Sequence, residues 1–418
     1  TNDPRLAWIE KDGKIVPGYE ERVNRQQLPP YYRETGAFFI SRSRCVKENS
    51  RFGEKVGVFE VSPMEAIDID TIADWWIVEK YLKTLKIALR VDGNRSIGFG
   101  HVYRMLLLAN RLFDHRVEFF LDQKDEEAVD KVRKSFYPLV AGERENLPGL
   151  VLERQPDIVI HDILDTTAEG LSPFKQKGIF TVNFEDLGPG IAEADLVINA
   201  LYETDIPYPH VYSGPDYYCL REDFAHTQIR ELSPEVQKIV VSFGGADPSD
   251  LTAKTVKTLA EFLKDRNVQV GIVLGLGYPV DAEKKLESDL ERNGLPEKIV
   301  LKRNVASMAA AMKEADLILT SCGRTMYEVA SLGIPAILMA QNTRELHHTF
   351  GHADNGFSNL GLGGEVSSER LLETIARIAD DFELRKEMRT RMLKTDFRKG
   401  LARVESLILD SYWEWKEK

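Results

Sequence analysis

Lys86-Ile-Ala-Leu-Arg-Val-Asp-Gly-Asn-Arg-Ser-Ile-Gly-Phe-Gly-His-Val-Tyr-Arg-Met-Leu-Leu-Leu-Ala-Asn-Arg-Leu112 is the stretch that decides the fold. It opens with a short apolar run of the kind found in a strand buried on both faces, passes through a glycine-rich turn, and continues with apolar residues at helical spacing. A strand, a small-residue turn and a helix make the first half of a βαβ unit. Working outward, Val117–Leu121, Ile158–Ile160, Ile179–Val182 and Leu196–Ile198 read as further strands with helical patterns between them. The chain turns polar over residues 225–236, a hinge, and the rhythm restarts. Lys238-Ile-Val-Val-Ser-Phe-Gly-Gly245, Val268–Leu274, Ile299–Leu301, Leu317–Thr320 and Ala336–Met339 supply a second set of strands. The end, from Ser367 to Lys418, is helical and charged, and is expected across the outer face. The predicted fold is α/β: two doubly wound Rossmann-like lobes, residues 84–230 and 231–418, preceded by a small α+β segment, residues 1–83. Such lobes place a ligand cleft between them.

The leading segment has a different character. Gly36–Ile40 and Val56–Val61 read as strands of a hairpin or small sheet, and Thr71 reads as the N-cap of a helix over Ile72–Lys80. Asp68 and Asp70 alternate in an extended stretch, so their carboxylates can share a divalent cation, or can simply supply negative charge near a helix start. The chain begins with Thr1, which suggests a fragment.

Bulk properties narrow the function classes. With 418 residues, 43% hydrophobic and 29% charged, the chain has the composition of a globular protein of two or three domains. A net charge of −12 argues against a general nucleic-acid binder, and no apolar run reaches the ~20 residues of a membrane span. Cys45, Cys219 and Cys322 lack metal-ligand spacing and suit a reducing, cytoplasmic setting.

Four places can carry chemistry. Gly98 and Gly100 allow close backbone approach before a helix start, and His101 there suits a general base; the same loop also reads as a tight turn whose histidine packs or caps. Gly244 and Gly245, within Ser242–Asp250, suit a phosphate or a hinge, with Ser249 as the N-cap of a helix from Leu251. Ser321-Cys-Gly-Arg-Thr325 is a small polar turn whose amides from Gly323 to Thr325 can meet a diphosphate, with Glu328 one turn on to accept ribose hydroxyls. Gln341 opens a polar stretch to His348, expected as a lid, and His161-Asp162 ends a strand facing the cleft.

In combination these pieces resemble a known family. Arg90-Val-Asp, Ile97–Arg104, Leu220-Arg-Glu-Asp-Phe224, Gly244-Gly-Ala-Asp247 and Ser321–Glu328 are similar to the UDP-sugar hydrolases of pseudaminic acid synthesis and their spore-coat polysaccharide relatives, which have the two-lobed GT-B fold of the MurG-type glycosyltransferases. The resemblance implies hydrolysis of a UDP-linked amino sugar without a metal: His101 activates water, while Gly98, Gly100, Arg104, Asp162, Gly244, Gly245, Ser321, Gly323, Arg324, Thr325, Tyr327, Glu328 and Gln341 hold the substrate. The chain departs from the hydrolases at Leu164, where they carry tyrosine, and at Tyr327, where they carry asparagine. A glycosyltransferase of the same fold and a non-catalytic nucleotide-sugar-binding module are the alternatives. Residues 1 to about 80 resemble the C-terminal part of CMP-sialic acid synthetases through Arg25–Arg33, Gly36–Ile40 and Ile67–Thr71. That resemblance implies Mg2+ at Asp68 and Asp70 if the synthetase half is complete, and a homodimer through residues 25–60. The synthetase's nucleotide-binding loop is absent, so no CMP transfer is expected of this chain alone.

Overall fold

The computed structural model describes residues 6–94, 97–202, 208–292, 294–295 and 297–418, so Arg95 and Ser96 of the deciding loop lie outside the described residues. The chain divides into two compact units, Thr1–Thr84 and Leu85–Lys418.

In the first unit, β1 (Trp8–Lys11) and β2 (Lys14–Pro17) form an antiparallel hairpin. Its two-residue turn, Asp12-Gly13, has positive φ at both positions, the geometry that matches strand twist. The expected strands over 36–40 and 56–61 do not form; the rings of Phe38 and Phe59 meet at 5.8 Å, but no backbone ladder joins the two stretches. The short aromatic and β-branched runs that signal strands are here spent on ring contacts at the surface. Helix α1 (Ile72–Leu82) begins at Thr71 as expected, with a reciprocal capping box: Asp74 N–H donates to Thr71 Oγ1 at 3.2 Å, and Thr71 N–H to Asp74 Oδ2 at 2.8 Å.

The second unit holds two parallel sheets. The first-lobe strands are β3 (Lys86–Val91), β4 (Arg116–Asp122), β5 (Leu139–Gly142), β6 (Ile158–Asp162), β7 (Phe180–Phe184), β8 (Leu196–Asn199) and β9 (Val211–Ser213). The helices between them are α2 (Gly100–Arg111), α3 (Glu126–Arg133), α4 (Leu147–Glu153) and α5 (Ala168–Gln176), and α6 (Glu222–Ala225) follows the last strand. Their order is β5-β4-β3-β6-β7-β8-β9, so consecutive strands diverge on either side of the β3–β6 pair. The second lobe repeats the design with β10 (Lys238–Ser242), β11 (Gln269–Leu274), β12 (Ile299–Arg303), β13 (Leu317–Thr320), β14 (Ala336–Ala340) and β15 (Phe357–Leu362), ordered β12-β11-β10-β13-β14-β15. Its helices are α7 (Leu251–Phe262), α8 (Val280–Arg292), α9 (Met308–Met312), α10 (Thr325–Leu332), α11 (Ser368–Asp380) and α12 (Phe382–Met392). In both sheets the order reverses at one pair of strands, and ligands gather beyond the carboxyl ends of such a pair. In this chain those pairs are β3–β6 and β10–β13.

The C-terminal helix, α13 (Gly400–Lys416), corrects the expected boundary. Leu401, Val404, Ile408 and Tyr412 join the core of the first lobe, where Phe180 meets the rings of Tyr412 and Trp415 at 5.9 and 5.5 Å. The helix therefore crosses back from the second lobe and ties the two together.

Candidate active site between the lobes

At the end of β3 the chain must turn sharply into α2, and Gly98 at φ +81° takes a left-handed conformation that other residues rarely adopt. This turn delivers His101 to the first turn of α2. Val91 and Asp162 are register partners on β3 and β6, so the aspartate ends its strand beside that turn. His101 Nδ1 lies 2.5 Å from Asp162 Oδ1. Arg104, one helical turn further, grips the same carboxylate with Nε at 2.8 Å and Nη2 at 2.6 Å, and extends Nη1 to Glu185 Oε1 at 2.8 Å. Glu185 also accepts the Leu201 amide at 3.0 Å. Burial opposes ionisation of Asp162, but Arg104 and His101 beside it outweigh that and hold its carboxyl well below the usual carboxylate range. Asp162 is therefore an anion fixed by two cationic or donor groups, and His101 keeps 13% side-chain exposure at the cleft.

His161 goes the other way. Adjacent strand residues point to opposite faces, and its ring packs on Phe174 at 5.2 Å with neither nitrogen hydrogen-bonded among the described residues. Burial, aided by nearby Arg90, pushes it down to about 3. His161 is a neutral core residue, not a cleft residue as its sequence position suggests.

The second lobe answers with glycine turns. Gly244 (φ +87°) and Gly245 follow β10; a β-carbon at Gly245 would lie 3.7 Å from the Phe99 ring of the first lobe. Gly275 abuts this turn so closely that a β-carbon there would come within 2.3 Å of the Gly245 carbonyl oxygen. The turn after β13 carries Ser321, Gly323, Arg324 and Thr325, and a β-carbon at Gly100 would sit 2.8 Å from Arg324 Cδ. These contacts bring the starts of α2 and α10 to one cleft. Arg324 Nη2 donates to the Cys219 carbonyl at 3.2 Å, while Nη1 is buried with no hydrogen-bond partner among the described residues. Glu328 is buried and ion-paired with Arg221 at 2.9 Å; burial raises its carboxyl and the two arginines, Arg221 and Arg324, oppose that rise. The sequence placed Glu328 for ribose without foreseeing Arg221 as its partner.

Arg104, assigned to substrate from sequence, is instead committed to Asp162 and Glu185, and three more residues assigned to substrate or capping are occupied elsewhere. Tyr327 is fully buried, stacked between Tyr218 at 4.2 Å and Phe350 at 4.8 Å, with its hydroxyl on the Ala200 carbonyl at 3.0 Å. Gln341 is buried and gives its amide nitrogen to Phe243 O and Asp247 Oδ1, while its oxygen accepts the Ser249 amide. It locks the strand end to the glycine turn, and both of its side-chain N–H donors are used within the protein. Ser249 is not the cap of α7: its hydroxyl goes to the Gln341 carbonyl, and Asp247 accepts the Leu251 and Thr252 amides at 3.0 and 2.8 Å.

Sequence reasoning missed the groups that join the lobes. Arg344, just past β14, reaches across to Asp165 through two hydrogen bonds of 3.1 and 2.9 Å, to the Tyr202 hydroxyl at 2.9 Å and to the Glu185 carbonyl at 3.3 Å. His348 turns its ring edge to Tyr202 at 5.1 Å and engages the Cys322 carbonyl through Nδ1 at 2.6 Å, so the polar lid is a structured bridge. Partners 142 to 179 positions apart leave no local signal. Asp68 and Asp70 are exposed, and among the described residues no third histidine, cysteine or carboxylate completes a metal site with them.

Two parallel sheets facing one cleft, each with its turn at the strand-order reversal, are the GT-B architecture. The second lobe, residues 239–404, matches the glycosyltransferase family 28 C-terminal domain. MurG of Acinetobacter baumannii superposes with a TM-score of 0.55 at 17% identity, covering 78% of this chain and 99% of that one. Among relatives, the uncharacterized protein MJ1062 of Methanocaldococcus jannaschii is 32% identical over 62% of this chain, which spans only 56% of that protein's length. The spore coat polysaccharide biosynthesis protein SpsG of Bacillus subtilis is 28% identical over 78% of this chain and 99% of its own. The UDP-2,4-diacetamido-2,4,6-trideoxy-beta-L-altropyranose hydrolase of Campylobacter jejuni is 25% identical over 42% of this chain and 66% of its own.

Proposed function

We propose that this chain hydrolyses a UDP-linked amino sugar, releasing UDP and the free sugar, in the synthesis of a nonulosonic acid or a surface polysaccharide. The observation that carries the reading is the His101–Asp162 pair at the first lobe's strand-order reversal, opposite glycine turns at the second lobe's. With Asp162 ionised, the proton of a neutral His101 sits on Nδ1 toward the carboxylate, leaving the Nε2 lone pair to take a proton from water. Water so activated attacks the anomeric carbon, the bond to the diphosphate oxygen breaks with inversion, and UDP leaves with that electron pair. Arg104 keeps Asp162 in place for this step. Backbone amides and Arg324, whose Nη1 lacks a partner, stabilise the departing diphosphate. Glu328, freed from or shared with Arg221, takes the ribose hydroxyls. The hydrolase relative supports the reaction class and the sugar class, and the spore-coat relative supports a role in polysaccharide synthesis.

A transferase reading has support of its own in the family 28 domain match and the MurG fold. It keeps every role and replaces water by an acceptor hydroxyl. The deciding experiment is UDP release from a panel of UDP-amino sugars, including diacetamido-trideoxyhexoses, with no acceptor present. Sustained multiple turnover supports the hydrolase; UDP binding with no release until an acceptor is added supports the transferase.

A further inference from the structure

The turn expected to seat a diphosphate already holds an anion, and it comes from the protein. Glu345 lies in the 3-10 turn Arg344–His347 that follows β14. Its Oε2 accepts the Gln341 amide at 2.8 Å, and its carboxylate faces the backbone of Cys322, at the start of the turn after β13. Oε1 lies 3.1 Å from the place where a β-carbon on Gly323 would stand, so the carboxylate uses the space that glycine leaves. Its neighbour Arg344 points to the first lobe, and among the described ion pairs none includes Glu345. A half-buried carboxylate with no cation among the described ion pairs, resting on a backbone amide at the end of a parallel strand, is the arrangement that an anionic ligand adopts at such a turn.

We propose that Glu345 occupies the diphosphate seat of the second lobe, beside Cys322 and against Gly323, and that a nucleoside diphosphate must expel it to bind. This rests on the nucleotide-sugar reading above and adds a built-in competitor to it. The charge on the competitor depends on pH. Burial pushes Glu345 up to about 7, helped by Asp247 from the turn after β10 and opposed by the Gln341 amide and the Cys322 backbone. The other titratable group facing it is the Cys322 thiol, which burial and Glu345 push up to about 12, so it stays neutral. From its own segment, Arg344 is committed to Asp165, and His348, lowered to about 4 by burial, stays neutral as well. Above pH 7 the ligand must therefore displace a carboxylate; below it, a neutral acid that holds the Gln341 amide more weakly.

The test is UDP affinity by calorimetry at pH 6, 7 and 8 for the full chain and for Glu345→Gln, with Glu345→Ala as a second variant and Tm measured for each. UDP's own ionisation affects all three proteins alike, so the ratio between them isolates Glu345. Both variants are expected to bind UDP about tenfold more tightly than the parent at pH 8, one pKa unit's worth of competition, with the ratio closing toward one at pH 6. Equal or weaker binding by folded Glu345→Gln at pH 8, while the parent binds UDP, overturns the competitor and leaves the nucleotide reading standing. Absence of UDP binding by parent and variants alike overturns both.

Discussion

The two lobes share one topology and face one cleft, yet they furnish it with different chemistry. The first lobe's rim is built of side chains: His101, Asp162, Arg104 and Glu185 form one connected, largely buried ionic chain. The second lobe's rim is built of backbone: Gly244, Gly245, Gly275 and Gly323 clear the space, and amides with Arg324 and Glu328 line it. A proton-transfer group must be held to a fraction of an ångström, which neighbouring charges achieve. A phosphate needs several donors at once, which a glycine turn at a strand end provides. On the proposed function, the difference gives reaction to one lobe and grip to the other.

That division can be broken most severely at Arg104. It is the shared partner of two buried carboxylates, so Arg104→Met leaves both undercompensated and is expected to cost about 3–5 kcal/mol in urea unfolding. A loss below 1 kcal/mol would mean the ionic chain does not hold the first rim. Next in size is Glu328→Ala, expected to weaken UDP binding by about 1.5–3 kcal/mol, the range for a hydrogen bond to a charged group, with the fold intact by circular dichroism. An unchanged affinity would remove Glu328 from the grip and leave it as the mate of Arg221.

The third prediction concerns pH. His161 is depressed to about 3, so the unfolded chain takes up its proton first, beginning near pH 6.5. The stability this gives is present above pH 6.5 and falls by about 1.4 kcal/mol per pH unit as the pH drops toward 3. Replacing the ring by His161→Phe should flatten that part of the acid limb, read as urea midpoints at pH 6.5 and 5; an unchanged slope would contradict the neutral, buried histidine. Smallest is Gly100→Ala, whose new methyl meets the flexible stem of Arg324. Because that stem can swing, the expected cost is about 1 kcal/mol, the low end for overpacking. A much larger cost would show the two rims to be locked more rigidly than their side chains suggest.

The sheets were legible from the sequence because strands buried on both faces leave apolar runs, as at Lys86–Val91 and Leu317–Thr320. Leu139–Gly142, Val211–Ser213 and Phe357–Leu362, short or partly exposed, left weaker patterns and went unread. Gly98 and Gly244 announced their turns because positive φ selects glycine. Tyr327 and Gln341 misled for a common reason: proximity in sequence to a ligand-facing turn says nothing of which way a helix or strand end directs a side chain. Arg344 was invisible because its function depends on Asp165 and Tyr202 in the other lobe, and only the closed fold brings them together. Glu345 was likewise silent, since an acidic residue in a polar stretch reads as solvated surface until the Gln341 amide and the space at Gly323 are found against it.

The most direct measurement is the pair of values, turnover and UDP affinity, for His101→Ala on whichever UDP-amino sugar the parent cleaves. If reaction belongs to the first lobe and grip to the second, turnover falls by about 10²–10⁴-fold, the range for a lost general base, while the UDP dissociation constant stays unchanged. Turnover that survives the substitution, or a loss of UDP affinity that parallels the loss of rate, would contradict the division.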